Sequence, residues 1–186
     1  MKLLIICGPT ATGKTDLAAA LARQLNGEII SADSRQVYKG MDIVTGKDKP
    51  KGVDIWGYDL VSPDEEFSVA HFVSLAREQI NKIAWRGHLP IVVGGTGFWL
   101  DSLVKPPATI NVKPDWKLRK RLEKFSAKQL LAQLKKLDPV RAKKMNQSDR
   151  QNPRRLIRAI EVAASRRLNR PPDWVLDVCD GTDSCA

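Results

Sequence analysis

The sequence predicts an α/β fold, in which a parallel sheet is flanked by helices and carries a small helical insertion. Two features support this fold. An apolar run, a glycine-rich loop and a helix-forming stretch follow one another within residues 3–25. Further apolar runs at 27–33 and 90–93 alternate with a helical stripe over 67–85. Strands that alternate with helices form parallel sheets, because each helix returns the chain to the same sheet edge.

The glycine-rich loop predicts a diphosphate site. It fits G-x-x-x-x-G-K-[ST] at every specified position, the pattern of P-loop NTPase-like folds. In such a loop the backbone N–H groups turn inward on the anion, Lys14 supplies a positive charge and the Thr15 hydroxyl can ligate Mg²⁺. The predicted diphosphate-binding residues, which form the phosphate loop, are Gly8, Pro9, Thr10, Ala11, Thr12, Gly13, Lys14 and Thr15.

Two later strands end in polar residues. Asp33 ends the second apolar run, and the carboxyl ends of parallel strands form the binding crevice of an open sheet. We therefore expect its carboxylate near the phosphate loop, where it can accept a proton or help to hold a metal. A cap on the turn at Ser34-Arg35 is the alternative. The third run breaks into Gly94-Gly95-Thr96-Gly97, a turn that lets backbone and a hydroxyl approach a ligand.

The chain of 186 residues carries a net charge of +10, and the excess lies in its second part. Residues 1–104 hold 11 Lys and Arg against 12 Asp and Glu, whereas residues 105–186 hold 20 against 9. Such a basic segment is typical of a protein that binds a polyanion, with RNA or DNA as the first candidate. A lysine-rich surface that serves only solubility is the alternative.

Other classes of protein are disfavoured. No apolar stretch reaches the roughly 18–20 residues of a membrane span, and the N-terminal apolar run leads into the phosphate loop instead of a signal-peptide cleavage site. The three cysteines, Cys7, Cys179 and Cys185, lack the pattern of a disulfide framework or a zinc site. We therefore expect a cytoplasmic protein in which Cys7 is a buried strand residue.

Pro106-Pro107 begins a segment of different character. Apolar residues recur at helical spacing in three short stretches, 115–124, 126–137 and 139–145. We predict a P-loop α/β core and a helical insertion, with the core made of residues 1–105 and 146–186 and the insertion of residues 106–145.

A longer helix is predicted from about residue 153 to residue 168. Its apolar residues lie on one side, and Arg154, Arg155 and Arg158 lie around another. Arginines at this spacing can bind successive phosphates or stack on an exposed base. Glu161 lies one turn from Arg158, so an ion pair within the helix is the alternative.

Several motifs, in the same order, resemble the tRNA dimethylallyltransferases, also called tRNA isopentenyltransferases. They are the phosphate loop and the segments 33–47, 59–70, 94–100 and 152–162. Beyond Arg170 the resemblance stops, although members of that family usually continue with a further block of strand and helices. Residues 175–178 could add one strand. The chain is identified as a short or C-terminally truncated member.

The resemblance implies transfer of a dimethylallyl group from dimethylallyl diphosphate to N6 of an adenine in the anticodon loop of a tRNA. Mg²⁺, held in part by Thr15, and Lys14 would meet the charge of the departing diphosphate. Thr10 and Thr96 would complete the cradle, and Asp33 would take the proton from the adenine amine. The catalytic set is Asp33, Lys14 and Thr96. The implied tRNA-binding residues are Asp33, Ser34, Arg35, Gln36, Thr96, Arg119, Arg154, Arg155 and Arg158.

Three other functions share part of these features. A small P-loop kinase would use the same loop, Mg²⁺ and acidic residue to transfer a phosphoryl group from ATP, but it leaves the basic second part unexplained. An RNA-binding homologue that has lost catalysis would keep the basic part alone. Prenylation of free adenine nucleotides would need little basic surface. For the reaction implied by the resemblance, we expect a monomer whose partners are tRNA and dimethylallyl diphosphate and which binds no membrane.

Overall fold

The computed structural model describes residues 2–168. They form two compact units, the first ending at Ile110 and the second beginning at Asn111. Each unit has a hydrophobic core of its own.

The first unit is a parallel sheet with helices between its strands. The strands are β1 (Leu4–Cys7), β2 (Gly27–Ser31), β3 (Ile55–Trp56) and β4 (Leu89–Gly94). The helices are α1 (Lys14–Leu25), α2 (Asp42–Thr45), α3 (Val69–Trp85) and α4 (Gly97–Val104). All pairings are parallel and the strand order is β1-β4-β2-β3. The predicted α/β fold is confirmed.

Helices cover both faces of the sheet because its central strands are apolar on both sides. On one face, Ile29 and Ile91 pack against the small alanines of α1. On the other face, Ile30 and Val92 pack with Phe72 of α3. Successive side chains of a strand point to opposite faces, which is why neighbouring isoleucines serve different layers. The apolar stripe predicted over 67–85 is thus core.

Strand β1 is less buried than its neighbours. Within the described residues it pairs with β4 alone, so it lies at the edge of the sheet. Its first three residues are half-buried and Cys7 is exposed. The prediction that Cys7 is buried is wrong, because the residue ends an edge strand at the point where the chain turns into the phosphate loop.

The second unit is helical. Its helices are α5 (Trp116–Leu122), α6 (Ala127–Leu137), α7 (Pro139–Lys144), α8 (Gln147–Gln151) and α9 (Pro153–Leu168). Asp115, Ser126 and Asp138 cap the first three through their side chains, which explains why the apolar stretches break there. The core contains Leu130 and Leu134 of α6 and the fully buried Leu156 of α9.

The units divide the chain at a different point from the predicted domains. The helical unit begins at Asn111 and includes α9, which packs against α6. The assignment of residues 146–186 to the same domain as the sheet stays a prediction. The strand expected at 175–178 lies outside the described residues. Within residues 2–168, no helix is both long enough and apolar enough to cross a membrane.

Candidate functional site

The candidate site lies at the carboxyl edge of the sheet in the first unit. Cys7, the last residue of β1, pairs with Gly94, the last residue of β4. Ser31, the last residue of β2, pairs with Val93. Three segments therefore begin side by side where adjacent strands end. They are the phosphate loop, the Gly94–Gly97 turn and the segment beginning at Ala32. The sheet register brings together parts of the chain that are far apart in sequence.

The phosphate loop ends at the N-terminus of α1. Gly13 holds the position before the helix in a left-handed conformation, with φ of 73°. Because glycine has no side chain to cap the first turn, the backbone N–H groups there are available to an anion. Ala11 is also left-handed, with φ of 61°, an unusual conformation for a residue with a Cβ. Such geometry curves the loop and is common where backbone must bind a ligand.

The charged residue of the loop contacts the loop itself. Lys14 Nζ donates a hydrogen bond to the Pro9 carbonyl oxygen and lies 3.4 Å from Thr12 Oγ1. The Thr12 hydroxyl donates to the same carbonyl at 2.9 Å. The positive charge of the side chain therefore lies within the curve of the loop, where a diphosphate oxygen would compete with the Pro9 carbonyl.

The Gly94–Gly97 turn packs closely against its neighbours. A Cβ placed on Gly94 would lie 2.3 Å from the Ala32 carbonyl oxygen, so only glycine fits there. A Cβ placed on Gly95 would lie 3.5 Å from the Gly8 carbonyl oxygen and 3.9 Å from Thr10 Oγ1. The turn thus contacts both the end of β2 and the phosphate loop.

Thr96 connects this turn to the segment after β2. Its Oγ1 accepts a hydrogen bond from the Ser34 N–H at 3.1 Å and lies 3.5 Å from Ser34 Oγ. Asp33 is half-buried, and its Oδ1 accepts from the Arg35 N–H at 2.9 Å. The carboxylate therefore forms the turn cap considered as an alternative above. One oxygen is used in this way, and the second carboxylate oxygen has no hydrogen bond within residues 2–168.

Gln36 is held by the protein on both sides of its amide. Its Oε1 accepts from Ser31 Oγ at 2.7 Å, and its Nε2 donates to the Gly46 carbonyl at 3.0 Å. These contacts tie the end of β2 to the end of α2. Its implied role in holding adenine stays a prediction, whereas the observed contacts stabilise the loop between β2 and α2.

Lys47 is a site-supporting residue that our sequence reasoning missed. Its side chain is fully buried, and Nζ donates to Asp59 Oδ1 at 2.6 Å, to Asp42 Oδ1 at 2.9 Å and to the Tyr38 carbonyl at 2.6 Å. Burial by itself lowers the pKa of Lys47, but the hydrogen bonds to the two carboxylates outweigh it and the pKa is raised. The side chain therefore stays charged and fixes the loop that carries Gln36.

Four of the five predicted arginines lie in the second unit, and three of these four are paired there. The fifth, Arg35, is exposed in the first unit. Arg119 and Arg158 both contact Glu161, so the ion pair considered above is formed. Arg155 pairs with Asp149, and Arg154 is exposed. Binding of RNA by these arginines stays a prediction.

The donor set beside the loop fits a magnesium ion. Mg²⁺ in proteins is held by one or two side-chain oxygens together with substrate phosphates and water. Thr15, a half-buried residue in the first turn of α1, would offer its hydroxyl as such a ligand. Among residues 2–168 no three His, Cys, Asp or Glu side chains cluster to hold a metal by themselves. A cation here would therefore depend on the bound diphosphate.

Comparison with known proteins identifies the family. A family model described as IPP transferase matches residues 36–175, and one described as isopentenyl transferase matches residues 1–57. The chain belongs to the IPP transferase family. The resemblance drawn from the sequence motifs is therefore confirmed.

Two members of the family are similar to this chain over most of its length. The tRNA dimethylallyltransferase of Acetivibrio thermocellus is 47% identical over 167 residues, which are 86% of this chain and 52% of the relative. That of Anoxybacillus flavithermus is 43% identical over 164 residues, 87% of this chain and 52% of the relative. The chain spans about half the length of these relatives.

Solved structures of the family share the fold. The full-length tRNA isopentenylpyrophosphate transferase of Bacillus halodurans is 40% identical, with a TM-score of 0.58 over 88% of this chain and 55% of that one. A eukaryotic dimethylallyltransferase acting on tRNA is 31% identical, with a TM-score of 0.75 over 91% of this chain and 44% of that one. The prediction of a P-loop NTPase-like sheet is confirmed.

Proposed function

We propose that this protein transfers a dimethylallyl group from dimethylallyl diphosphate to N6 of an adenine in the anticodon loop of tRNA, with Mg²⁺ as the cofactor. One observation carries the proposal. In a chain of the IPP transferase family, the phosphate loop, Thr96 and Asp33 emerge from adjacent strand ends at one edge of the sheet. This reaction needs residues that bind the leaving diphosphate and a residue that accepts a proton. Candidates for both roles lie at that edge.

The phosphate loop would hold the leaving group. The carbon–oxygen bond of the allylic ester breaks, and the diphosphate departs with the bonding electrons. The N–H groups at the start of α1 and the ammonium of Lys14 meet this growing negative charge. When bound, Mg²⁺ supplies further neutralisation of the diphosphate, with the Thr15 hydroxyl as its protein ligand. Thr10, which lies beside the Gly95 turn, completes the cradle.

Asp33 would act as the general base. As N6 of the adenine bonds to the dimethylallyl carbon, the amine loses a proton, which passes to the carboxylate. The Arg35 N–H donates a hydrogen bond to Oδ1 of Asp33. The second carboxylate oxygen would then accept the proton. The hydrogen bond from the Ser34 N–H to Thr96 fixes the same segment against the Gly94–Gly97 turn. Ser34, Arg35 and Gln36 would contact the adenine, which must leave its stack to react.

The second unit would bind the RNA. Lys and Arg exceed Asp and Glu by 20 to 9 in residues 105–186, and long-range attraction of this kind favours a polyanion. Arg154 is exposed and available to a phosphate, and Arg119, Arg155 and Arg158 are the other proposed contacts. We propose that the chain works as a monomer in the cytoplasm, which light scattering and fractionation would test.

The central experiment is incubation with labelled dimethylallyl diphosphate, Mg²⁺ and unmodified tRNA, followed by location of the label. The expected result is one labelled adenine per tRNA. Asp33→Asn should reduce turnover by at least about a hundredfold, as expected for a lost general base, while tRNA affinity stays within about twofold. Asp64→Asn changes an exposed carboxylate of the same unit and serves as the matched control.

Other outcomes point to the alternatives. Undiminished turnover in Asp33→Asn would refute the assignment of the base. Phosphoryl transfer from labelled ATP, without incorporation of the prenyl group, would favour the small kinase. Binding of the tRNA without any transfer, in the presence of Mg²⁺, would favour an RNA-binding homologue. Label on free adenine nucleotides would favour prenylation of those nucleotides.

A further inference from the structure

A buried carboxylate joins two arginines of the second unit. Glu161 of α9 has a side chain only 2% exposed. Its Oε1 accepts from Arg119 Nε at 2.8 Å and from the Asp115 backbone N–H at 2.6 Å. Its Oε2 accepts from Arg119 Nη2 at 2.9 Å and from the guanidinium of Arg158. One side chain therefore fixes two guanidinium groups that belong to different helices.

The carboxylate is ionised at neutral pH. Burial alone would raise the pKa of Glu161, but hydrogen bonds from Arg119 and Arg158 outweigh it and the pKa is lowered. The two oxygens of an ionised carboxylate can together accept about four hydrogen bonds, so one side chain can bind two arginines. Both arginines are thus paired with a negative charge at neutral pH.

Each guanidinium is also restrained by a second neighbour. Arg119 Cζ lies 4.9 Å from the ring centroid of Trp116, a residue that is 60% exposed. Arg158 Nη2 donates to the Val112 carbonyl at 2.9 Å. The side chains of Arg119 and Arg158 nevertheless remain 24% and 36% exposed. An aromatic ring and two fixed, partly exposed guanidinium groups are the elements with which proteins bind RNA phosphates and unstacked bases.

We propose that Glu161 is a positioning residue for RNA, which holds Arg119 and Arg158 in the orientation that binds tRNA. This inference rests on the proposed function. Fixing the arginines during folding removes the loss of side-chain freedom that would otherwise oppose binding. Charge alone predicts the opposite effect, because Glu161 cancels one of two positive charges and its removal should strengthen attraction to any RNA. The two roles can therefore be separated by experiment.

Glu161→Gln keeps the size of the side chain and removes its charge. We expect its affinity for an unmodified anticodon stem-loop RNA to fall about tenfold, the factor carried by one charge-assisted hydrogen bond. The KM for tRNA should rise by the same factor, whereas kcat and the KM for dimethylallyl diphosphate should stay within about twofold. Affinity for a plain RNA duplex of equal length should stay the same or increase.

Two further variants separate positioning from stability. Ile160→Val shortens a neighbouring core residue that is 2% exposed, so it should lower the melting temperature and leave stem-loop affinity within about twofold. Arg119→Lys keeps the charge, but its single ammonium cannot span both carboxylate oxygens. It should weaken binding of the stem-loop and leave duplex binding unchanged.

Three results would overturn the inference. They are equal losses for stem-loop and duplex, a loss reproduced by Ile160→Val, and unchanged stem-loop affinity in Glu161→Gln. A wild-type protein that binds the stem-loop but transfers no prenyl group would refute the proposed reaction. The binding data of the variants would then decide this inference by themselves. A wild-type protein that binds neither RNA would refute both.

Discussion

Replacing Lys47 with methionine tests how firmly the loop between β2 and β3 is held. Methionine fills a similar space but donates no hydrogen bond. Removing one partner of a fully buried ion pair costs about 3–5 kcal/mol. The side chains of Asp42 and Asp59 are 48% and 35% exposed, and both also contact Lys49. Solvent and the second lysine therefore reduce the expected loss of stability to about 2 kcal/mol.

Urea unfolding followed by circular dichroism measures this loss, and hydrogen exchange locates it. The N–H of Lys39 donates to the Val61 carbonyl and that of Leu60 to the Val37 carbonyl, so faster exchange of these two amides should accompany Lys47→Met.

The matched control is Lys49→Met, which removes a half-exposed lysine from the same two carboxylates. It should cost much less stability than Lys47→Met, because exposed ion pairs contribute little. Equal losses for the two variants would refute the argument, because burial of Lys47 would then contribute nothing.

Two more predictions concern the sheet. Gly94→Ala would press a Cβ against the Ala32 carbonyl and should cost about 2–3 kcal/mol in urea unfolding, whereas Gly97→Ala, with nothing within 4 Å, should be nearly neutral; the reverse order would contradict the close packing. Burial alone would raise the pKa of Glu28, but hydrogen bonds led by that from Arg86 lower it from its ordinary value of 4.5. The stabilisation is thus complete above about pH 4.5 and is lost as the pH falls through the folded-state pKa. The melting temperature of Glu28→Gln should lie below that of the wild type at pH 7 and approach it towards pH 3; a gap independent of pH would contradict this linkage.

Much of the fold could be predicted because its signals are local. The strand, loop and helix of residues 3–25 carry a pattern with few conformational solutions, and the helical stripe over 67–85 has a single apolar face. β3 was missed, since Ile55–Trp56 is a two-residue strand that forms only by pairing with β2. α2 was missed as well, because a four-residue helix gives no periodicity.

The site was less predictable than the fold, because its contacts join distant segments. Asp33 could be placed at a strand end from sequence, but its bond to the Arg35 N–H needed the structure. The side chain of Gln36 is of a type that can bind a ligand. Its amide nevertheless forms hydrogen bonds with Ser31 and with the Gly46 carbonyl. The pairing of Arg119 with Glu161 joins two helices, and a count of charges along the chain cannot reveal it.

The position of β1 at the sheet edge has a consequence for the order of folding. β1 begins at Leu4, yet within the described residues its hydrogen-bonded partner is β4, where Leu4 pairs with Ile91. During synthesis, the apolar strand that carries the phosphate loop must therefore wait for most of the first unit to leave the ribosome. Contacts so distant in sequence form slowly, whereas the neighbouring helices of the second unit can form quickly. The strand that is made before the rest of the sheet is in this way completed late, and it is exposed to chaperones and proteases in the interval.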